Sequence, residues 1–212
     1  MNVKRFALGP LWTNGYLVSD NHGNSVFIDP AAETQVIMDW IKGNNLKLKA
    51  IILTHGHIDH TAGLGDNSFS DLVNGEIYLN QADSEMVLNP QKELGQMLGF
   101  KFNGISSFKN FEDGDELCFG DIIIKVIATP GHTEGSVCLL TGEKDGQTVL
   151  FSGDTLFAQS VGRTDLPGGD FAALERSLVK LASLPSELVV YPGHGPSTTI
   201  FDEMRKNPFW PR

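Results

Sequence analysis

Apolar positions along the chain fall into two kinds of run. Short alternating or continuous stretches read as strands: Val3 to Leu8, Tyr16 to Val18, Val26 to Asp29, Leu46 to Leu53, Ile77 to Leu79, Leu117 to Phe119, Ile122 to Ile127, Val137 to Leu140, Val149 to Phe151 and Leu188 to Tyr191. Turn-forming residues separate them. Asp20-Asn21-His22-Gly23-Asn24 leads into the third run and Asp29-Pro30 ends it. Gly120-Asp121 joins two runs as a tight hairpin, and Val137 to Leu140 with Val149 to Phe151 forms a second hairpin-like pair. Helical spacing is rarer. Val36, Ile37, Trp40 and Ile41 predict an amphipathic helix over Thr34 to Gly43, closed by its glycine. Phe171, Leu174, Leu178 and Leu181 predict another, with Asp170 as N-cap, and Thr198 to Lys206 reads as a last short helix. Residues 81 to 101 have helical character interrupted by Pro90, Gly95 and Gly99. Strands each followed by a helix or loop predict a layered α/β domain.

With 212 residues, the expectation is one domain spanning residues 1–212. A chain of this size can bury roughly 70% of its unfolded surface, so a core forms without covalent staples. The longest apolar runs are four residues, as in Ala50 to Leu53, whereas a membrane helix needs about 20, so no membrane partner is expected. Lys4 and Arg5 precede only Phe6-Ala7-Leu8-Gly9-Pro10, too short and broken for a signal peptide. Cys118 and Cys138 lie far apart without a CxxC pair, which argues against a disulfide framework and for core packing in a cytoplasmic protein. The net charge of −10 and pI near 4.9 supply no basic stripe, which excludes a nucleic-acid partner.

The chemistry concentrates in the histidines. Of six, His22 sits in the Gly/Asn turn and reads as an ordinary polar residue. His55, His57, Asp59 and His60 crowd into six residues directly after a buried strand. Desolvating such a cluster is costly without a partner, and the natural partner is a metal ion. His55 and His57, two apart in extended chain, project to one side; Asp59 and His60 are re-aimed by the turn beyond, so one cluster can serve two adjacent ions. Three more candidates share a context. His132 in Thr129-Pro130-Gly131-His132-Thr133, Asp154 in Ser152-Gly153-Asp154-Thr155 and His194 in Tyr191-Pro192-Gly193-His194-Gly195 each follow an apolar strand that runs out into a glycine-bearing turn. Strand ends of this kind converge on one rim of a sheet.

These residues closely resemble the metallo-β-lactamase superfamily, whose signature is H-x-H-x-D-H followed by a distant His, Asp and His. The resemblance runs from the N-terminal strands to His194. It departs at Leu64, where many members have a second glycine after Gly63. It implies a four-layer αββα sandwich and two divalent metal ions, zinc first, with iron or manganese as alternatives. It implies that His55, His57 and His132 bind one ion, that Asp59, His60 and His194 bind the other, and that Asp154 bridges. An aspartate at the position of Asp154, the run Gly153-Asp154-Thr155-Leu156-Phe157 and the run Val161-Gly162-Arg163-Thr164-Asp165 look most like the hydroxyacylglutathione hydrolases (glyoxalase II) and the persulfide dioxygenases. Only 18 residues follow His194, so the chain resembles a short type without the helical glutathione-gripping extension. Arg163 stands where a basic contact to glutathione is expected; its competing role is an ion pair with Asp165 or Asp170.

The function expected is metal-dependent hydrolysis of a thioester such as a hydroxyacyl-glutathione, with Asp59 also able to shuttle a proton. A small thioester or thiol is the expected partner. A thiolate with a pKa near 8.5 leaves with little protonation, whereas an amide nitrogen needs a general acid. The alternative is a mononuclear-iron glutathione persulfide dioxygenase using a facial triad drawn from His55, His132 and Asp154. A non-catalytic metal-binding module is a third reading. Trp12, Phe157, Phe209 and Trp210 are aromatic candidates for a substrate mouth.

Overall fold

The computed structural model describes all residues except 67, 68, 70–75, 91, 98, 101, 103, 144, 145 and 212. Fourteen strands and six helices alternate along the described chain: β1 (Asn2–Leu8), β2 (Thr13–Ser19), β3 (Asn24–Ile28), α1 (Thr34–Gly43), β4 (Lys47–Ile52), α2 (Ile58–Thr61), β5 (Ile77–Leu79), α3 (Ser84–Leu88), α4 (Lys92–Met97), β6 (Lys109–Asn110), β7 (Glu116–Phe119), β8 (Ile122–Ala128), β9 (Val137–Glu143), β10 (Val149–Gly153), β11 (Leu156–Phe157), β12 (Ser160–Val161), α5 (Phe171–Leu181), β13 (Val189–Pro192), β14 (Thr198–Thr199) and α6 (Ile200–Lys206). One six-stranded sheet has the order β1-β2-β3-β4-β5-β6, a second β14-β13-β10-β9-β8-β7, and β11-β12 form a small ribbon.

The period-2 alternation of the strands explains the layering. In the first sheet Tyr16, Val18, Val26, Ile28, Ala50 and Ile52 point one way and meet Ile124, Val126, Leu139 and Phe151 of the second sheet in a shared core. The intervening residues Leu17, Phe27, Ile51 and Leu53 point the other way and pack with Ile37 and Ile41 of α1. In the second sheet Cys138, Leu150 and Val190 face outward to Leu178 and Leu181 of α5 and Ile200 of α6. The result is helix, sheet, sheet, helix. The β3·β4 and β10·β13 pairs are parallel, and both sheets therefore deliver strand ends to a common rim.

The helix over Thr34–Gly43 and the Asp170 cap, which accepts from the Ala173 N–H at 3.1 Å, match the sequence reading. The helical stretch expected over 81 to 101 divides into a 3-10 turn at Gln81–Asp83, α3 and α4; residues 91, 98 and 101 fall outside the described residues. Thr198 and Thr199 are strand rather than helix, because they pair with Val190 and Val189 at a sheet edge. The short β6, β11 and β12 are two residues each, too short for any alternation to announce them. Cys138 is buried as expected, but Cys118 is exposed, since β7 is an edge strand whose alternate face meets solvent. Among the described residues, no helix is long and apolar enough to cross a membrane.

Candidate metal centre

Seven side chains gather where the two sheets present their strand ends. His55, His57, Asp59 and His60 follow β4 of the first sheet, Asp59 and His60 being lifted by the single turn of α2. His132 follows β8, Asp154 follows β10 and His194 follows β13, all of the second sheet. Three groups have their ligating atoms within 4.8 Å of one another: His55, His57 and His132; His55, His60 and Asp154; and Asp59, His60 and His194. Each group takes two residues from the first sheet and one from the second. His57 Nδ1 lies 2.9 Å from His132 Nε2, and His60 Nε2 lies 3.3 Å from His194 Nε2. Asp154 stands between the two pairs, with Oδ2 3.5 Å from His132 Nε2 and 3.6 Å from His194 Nε2.

Glycine is required at all three of the second-sheet turns, and at two of them it is the centre or the Thr54 beside it that leaves no room. Gly153 has φ 47°, and a Cβ there would overlap the Thr54 side chain. A Cβ at Gly193 would overlap Asp154 Oδ1 and His60 Cε1, so only hydrogen lets this backbone pass the cluster.

Two carboxylates that sequence spacing did not reveal hold the loops. Asp29, buried at the end of β3, accepts from the Thr54 N–H at 2.8 Å and the Thr54 hydroxyl at 2.7 Å, and its Oδ2 lies 3.0 Å from His60 Nδ1. This orients His60 so that Nε2 faces the centre. Asp83 is fully buried and clamps the two sheets' loops together. It accepts from the Gly56 N–H at 2.8 Å, the Thr133 hydroxyl at 2.7 Å and the Gly135 N–H at 2.7 Å. Burial pushes its carboxyl up, against the pull of these donors. A lone acid after a strand or in a helical turn has no spacing signature; the only hint was that Asp29 closes a buried strand. On the second sheet, His132 Nδ1 is 2.7 Å from the Arg163 carbonyl, which leaves Nε2 free to face inward. The Asn14 amide and the Tyr16 hydroxyl donate to the Pro192 carbonyl at 2.9 and 2.6 Å and fix the turn that carries His194.

The electrostatics favour a cation. Burial, reinforced by the surrounding imidazoles, keeps His55 well below the usual histidine range. Burial and His132 bring His57 down to about 4. Both rings are therefore neutral, the form that ligates metal. Burial is the largest influence and would raise Asp59 and Asp154, but His60, His194 and their neighbouring imidazoles together outweigh it, and both carboxyls lie below the usual range. Burial works against a charged His60, yet Asp154 and Asp59 overcome it and hold a proton on that ring. A bound ion displaces such a proton. His55 Nε2 is buried and has no hydrogen-bond partner among the described residues, and Asp154 Oδ1 makes no hydrogen bond beyond its 3.4 Å approach to His60 Nε2. An orphaned atom such as His55 Nε2 carries a desolvation cost that coordination removes. The residues fit a metal centre.

Fold and centre together define a metallo-hydrolase architecture. The family model of the metallo-beta-lactamase superfamily matches residues 8–194, and the chain belongs to that superfamily. It is 33% identical over 212 residues to the probable metallo-hydrolase YqgX of Bacillus subtilis, covering 99% of this chain and 97% of that protein. It is 31% identical over 214 residues to the hydroxyacylglutathione hydrolase GloC of Haemophilus influenzae, covering 99% and 98%. Among solved structures, BLEG-1 B3 metallo-beta-lactamase superposes with TM-score 0.86 at 34% identity, covering 98% of this chain and 99% of that one. TTHA1623 in a di-iron-bound form superposes with TM-score 0.85 at 36% identity, covering 98% and 100%.

Arg163 stays apart from the gathered seven. Its guanidinium makes a bidentate pair with Asp165, both bonds 2.7 Å, on the exposed surface. Of the aromatic candidates, half-buried Phe157 stands edge-on to His194 with ring centroids 6.2 Å apart, and exposed Trp12 adjoins Thr13, whose hydroxyl reaches Asp59 Oδ2 at 3.2 Å. Trp210 is instead buried in the outer core of the second sheet. His22 is exposed and lies 3.3 Å from Asp121.

Proposed function

We propose that the chain is a metal-dependent hydrolase of thioesters, with His55, His57 and His132 holding one divalent ion, Asp59, His60 and His194 a second, and Asp154 shared between them. The observation that carries this reading is the pair of abutting ligand groups, with Asp154 between them and the buried His55 Nε2 without a hydrogen-bond partner. Zinc suits the imidazole and carboxylate donors, and iron or manganese suits them too; the di-iron neighbour supports iron as a real competitor. Such ions supply a water acidified toward neutral pH and a Lewis-acid contact for a carbonyl oxygen.

The chain's own groups do the rest. Asp29 and the Arg163 carbonyl fix the tautomers of His60 and His132, so their Nε2 atoms point inward. Asp59 is the carboxylate placed to pass a proton, its Oδ2 lying 3.3 Å from His194 Nε2, the most open member of the cluster. Among the described residues, no other acid stands ready to protonate a poor leaving group, which favours a thiolate over an amide nitrogen. Arg163 serves a thiol carrier only by exchanging Asp165 for a substrate carboxylate.

The test uses protein of measured metal content. S-lactoylglutathione cleavage, oxygen uptake with glutathione persulfide, and β-lactam cleavage are measured side by side. Thioester cleavage with two ions per chain supports the reading. One iron per chain with oxygen uptake and no thioester cleavage overturns it in favour of the dioxygenase built on His55, His132 and Asp154. β-Lactam cleavage alone overturns it in favour of amide hydrolysis.

A further inference from the structure

A cavity of about 230 Å³ opens against the outer side of the metal centre. Its wall on that side is Gly56 and His57, a member of the first ligand group, followed by Ile58; Met86, Pro90, Leu166 and Pro167 supply the other apolar lining. Exposed Glu85 and Asn89 also line it and hydrogen-bond to each other at 3.1 Å. The walls are built to keep their shape. Ile58 and Pro90 are buried, and Met86 packs against the core beneath the first sheet. Leu166-Pro167-Gly168-Gly169 is a tight turn, with the Gly169 N–H on the Leu166 carbonyl at 2.9 Å and Gly168 at φ 86°. Proline then glycine at the two central positions are what such a turn demands.

The volume falls below the ~300–1,000 Å³ of sites that swallow a whole drug-sized ligand. It accommodates one apolar substituent of a few carbons. Among the described residues that line it there is no cation: Glu85 is the one charged group of that lining, and Arg163 is not part of it. A hydroxyl placed there meets mostly hydrocarbon, and the polar or charged arm of a thiol carrier fits worse. The apolar part of a thioester is its acyl chain. Resting on the hydrolase reading above, we infer that this cavity is the acyl subsite, and that the preferred substrate carries an unsubstituted hydrocarbon acyl chain rather than a small hydroxyacyl group. Met86 and Leu166 then set chain length.

The experiment follows two substrate series on metal-loaded protein. In the first, N-acetylcysteamine is the constant thiol and the acyl group is acetyl, lactoyl, butanoyl or hexanoyl. In the second, acetyl is constant and the thiol is a straight-chain alkanethiol of rising length. The expected result is kcat/KM at least about tenfold higher for butanoyl or hexanoyl than for acetyl and lactoyl, with no such trend in the thiol series. Met86→Trp and Leu166→Trp, which fill the cavity from two different segments of its lining, each lower the hexanoyl-to-acetyl ratio about tenfold. The second variant lies on a surface turn, so it folds even if the first does not. Equal rates across the acyl series, a preference that follows the thiol instead, or an unchanged ratio in both variants overturns the inference and leaves thioester hydrolysis standing. Cleavage of no member of either series overturns the hydrolase reading itself, and the inference with it.

Discussion

Replacing Asp83 by alanine removes one side chain and opens the seam between the sheets at the centre. Two buried backbone donors, the Gly56 and Gly135 N–H groups, lose their acceptor, whereas Thr133 keeps Ser136 Oγ at 2.7 Å. Each orphaned buried donor costs about 1–3 kcal/mol, and losing the desolvated carboxylate recovers part of this, for a net near 3 kcal/mol. In a chain of this size that lowers the midpoint of thermal unfolding by about 6–12 °C. The clamp ties the loop carrying His57 to the loop carrying His132, so the first ligand group loosens while Asp59, His60 and His194 keep their own supports. Affinity for one ion therefore falls about 10–100-fold and affinity for the other stays close to wild type. Asp83→Asn is intermediate: its carbonyl can serve Gly56 and Thr133, but its amide then opposes the Gly135 N–H. The assays are calorimetric unfolding of ion-stripped protein and titration of Zn²⁺ against a chromophoric chelator. An Asp83→Ala chain that melts at the wild-type temperature and binds both ions as tightly as wild type refutes the reasoning.

Three further outcomes are expected. Asp154→Ala loses most bound metal and all hydrolysis, because the carboxylate belongs between both groups; metal analysis and the thioester assay check this, and retained activity contradicts it. His194→Ala cripples a two-ion hydrolase and spares a one-iron oxygenase, so a fully active hydrolase variant contradicts the two-ion assignment. Acid unfolding gives the third. Burial raises the Asp20 carboxyl, but hydrogen bonds from the Asn24 side chain and the backbone N–H groups of Asp121, Asn24 and His22 bring it down to about 2. A carboxyl held below its unfolded value of about 3.9 stabilises the fold fully above that pH and ceases to do so as pH falls through the folded value. Asp20→Asn therefore narrows the loss of stability between about pH 4 and pH 2, measured by denaturant titration at each pH; an unchanged pH dependence contradicts this.

The layered fold was legible because each core strand carries two opposite apolar faces: Val26 and Ile28 look one way and Phe27 the other. Elements set by partners rather than by their own pattern were not. β6 is Lys109 and Asn110, two polar residues that become strand by pairing with Tyr78 and Leu79. Cys118 was misplaced because nothing in Leu-Cys-Phe says that its strand lies at an edge. The ligand candidates stood out by crowding or by the strand-then-glycine context. Asp29 and Asp83 had neither, since their work is done on backbone groups 25 and 27 residues further along or back in the chain. The cavity beside His57 was equally hidden, assembled from three segments that only the fold brings together.

Each candidate ligand group takes two members from one sheet and one from the other, so ions held as proposed would be rivets as well as reagents. Occupancy and cohesion of the sandwich would then be a single equilibrium, with a stabilisation that grows as the logarithm of free ion concentration. Scarcity of the ion would loosen the body of the protein together with its chemistry, and a starved chain would offer proteases and chaperones a softer target than a loaded one.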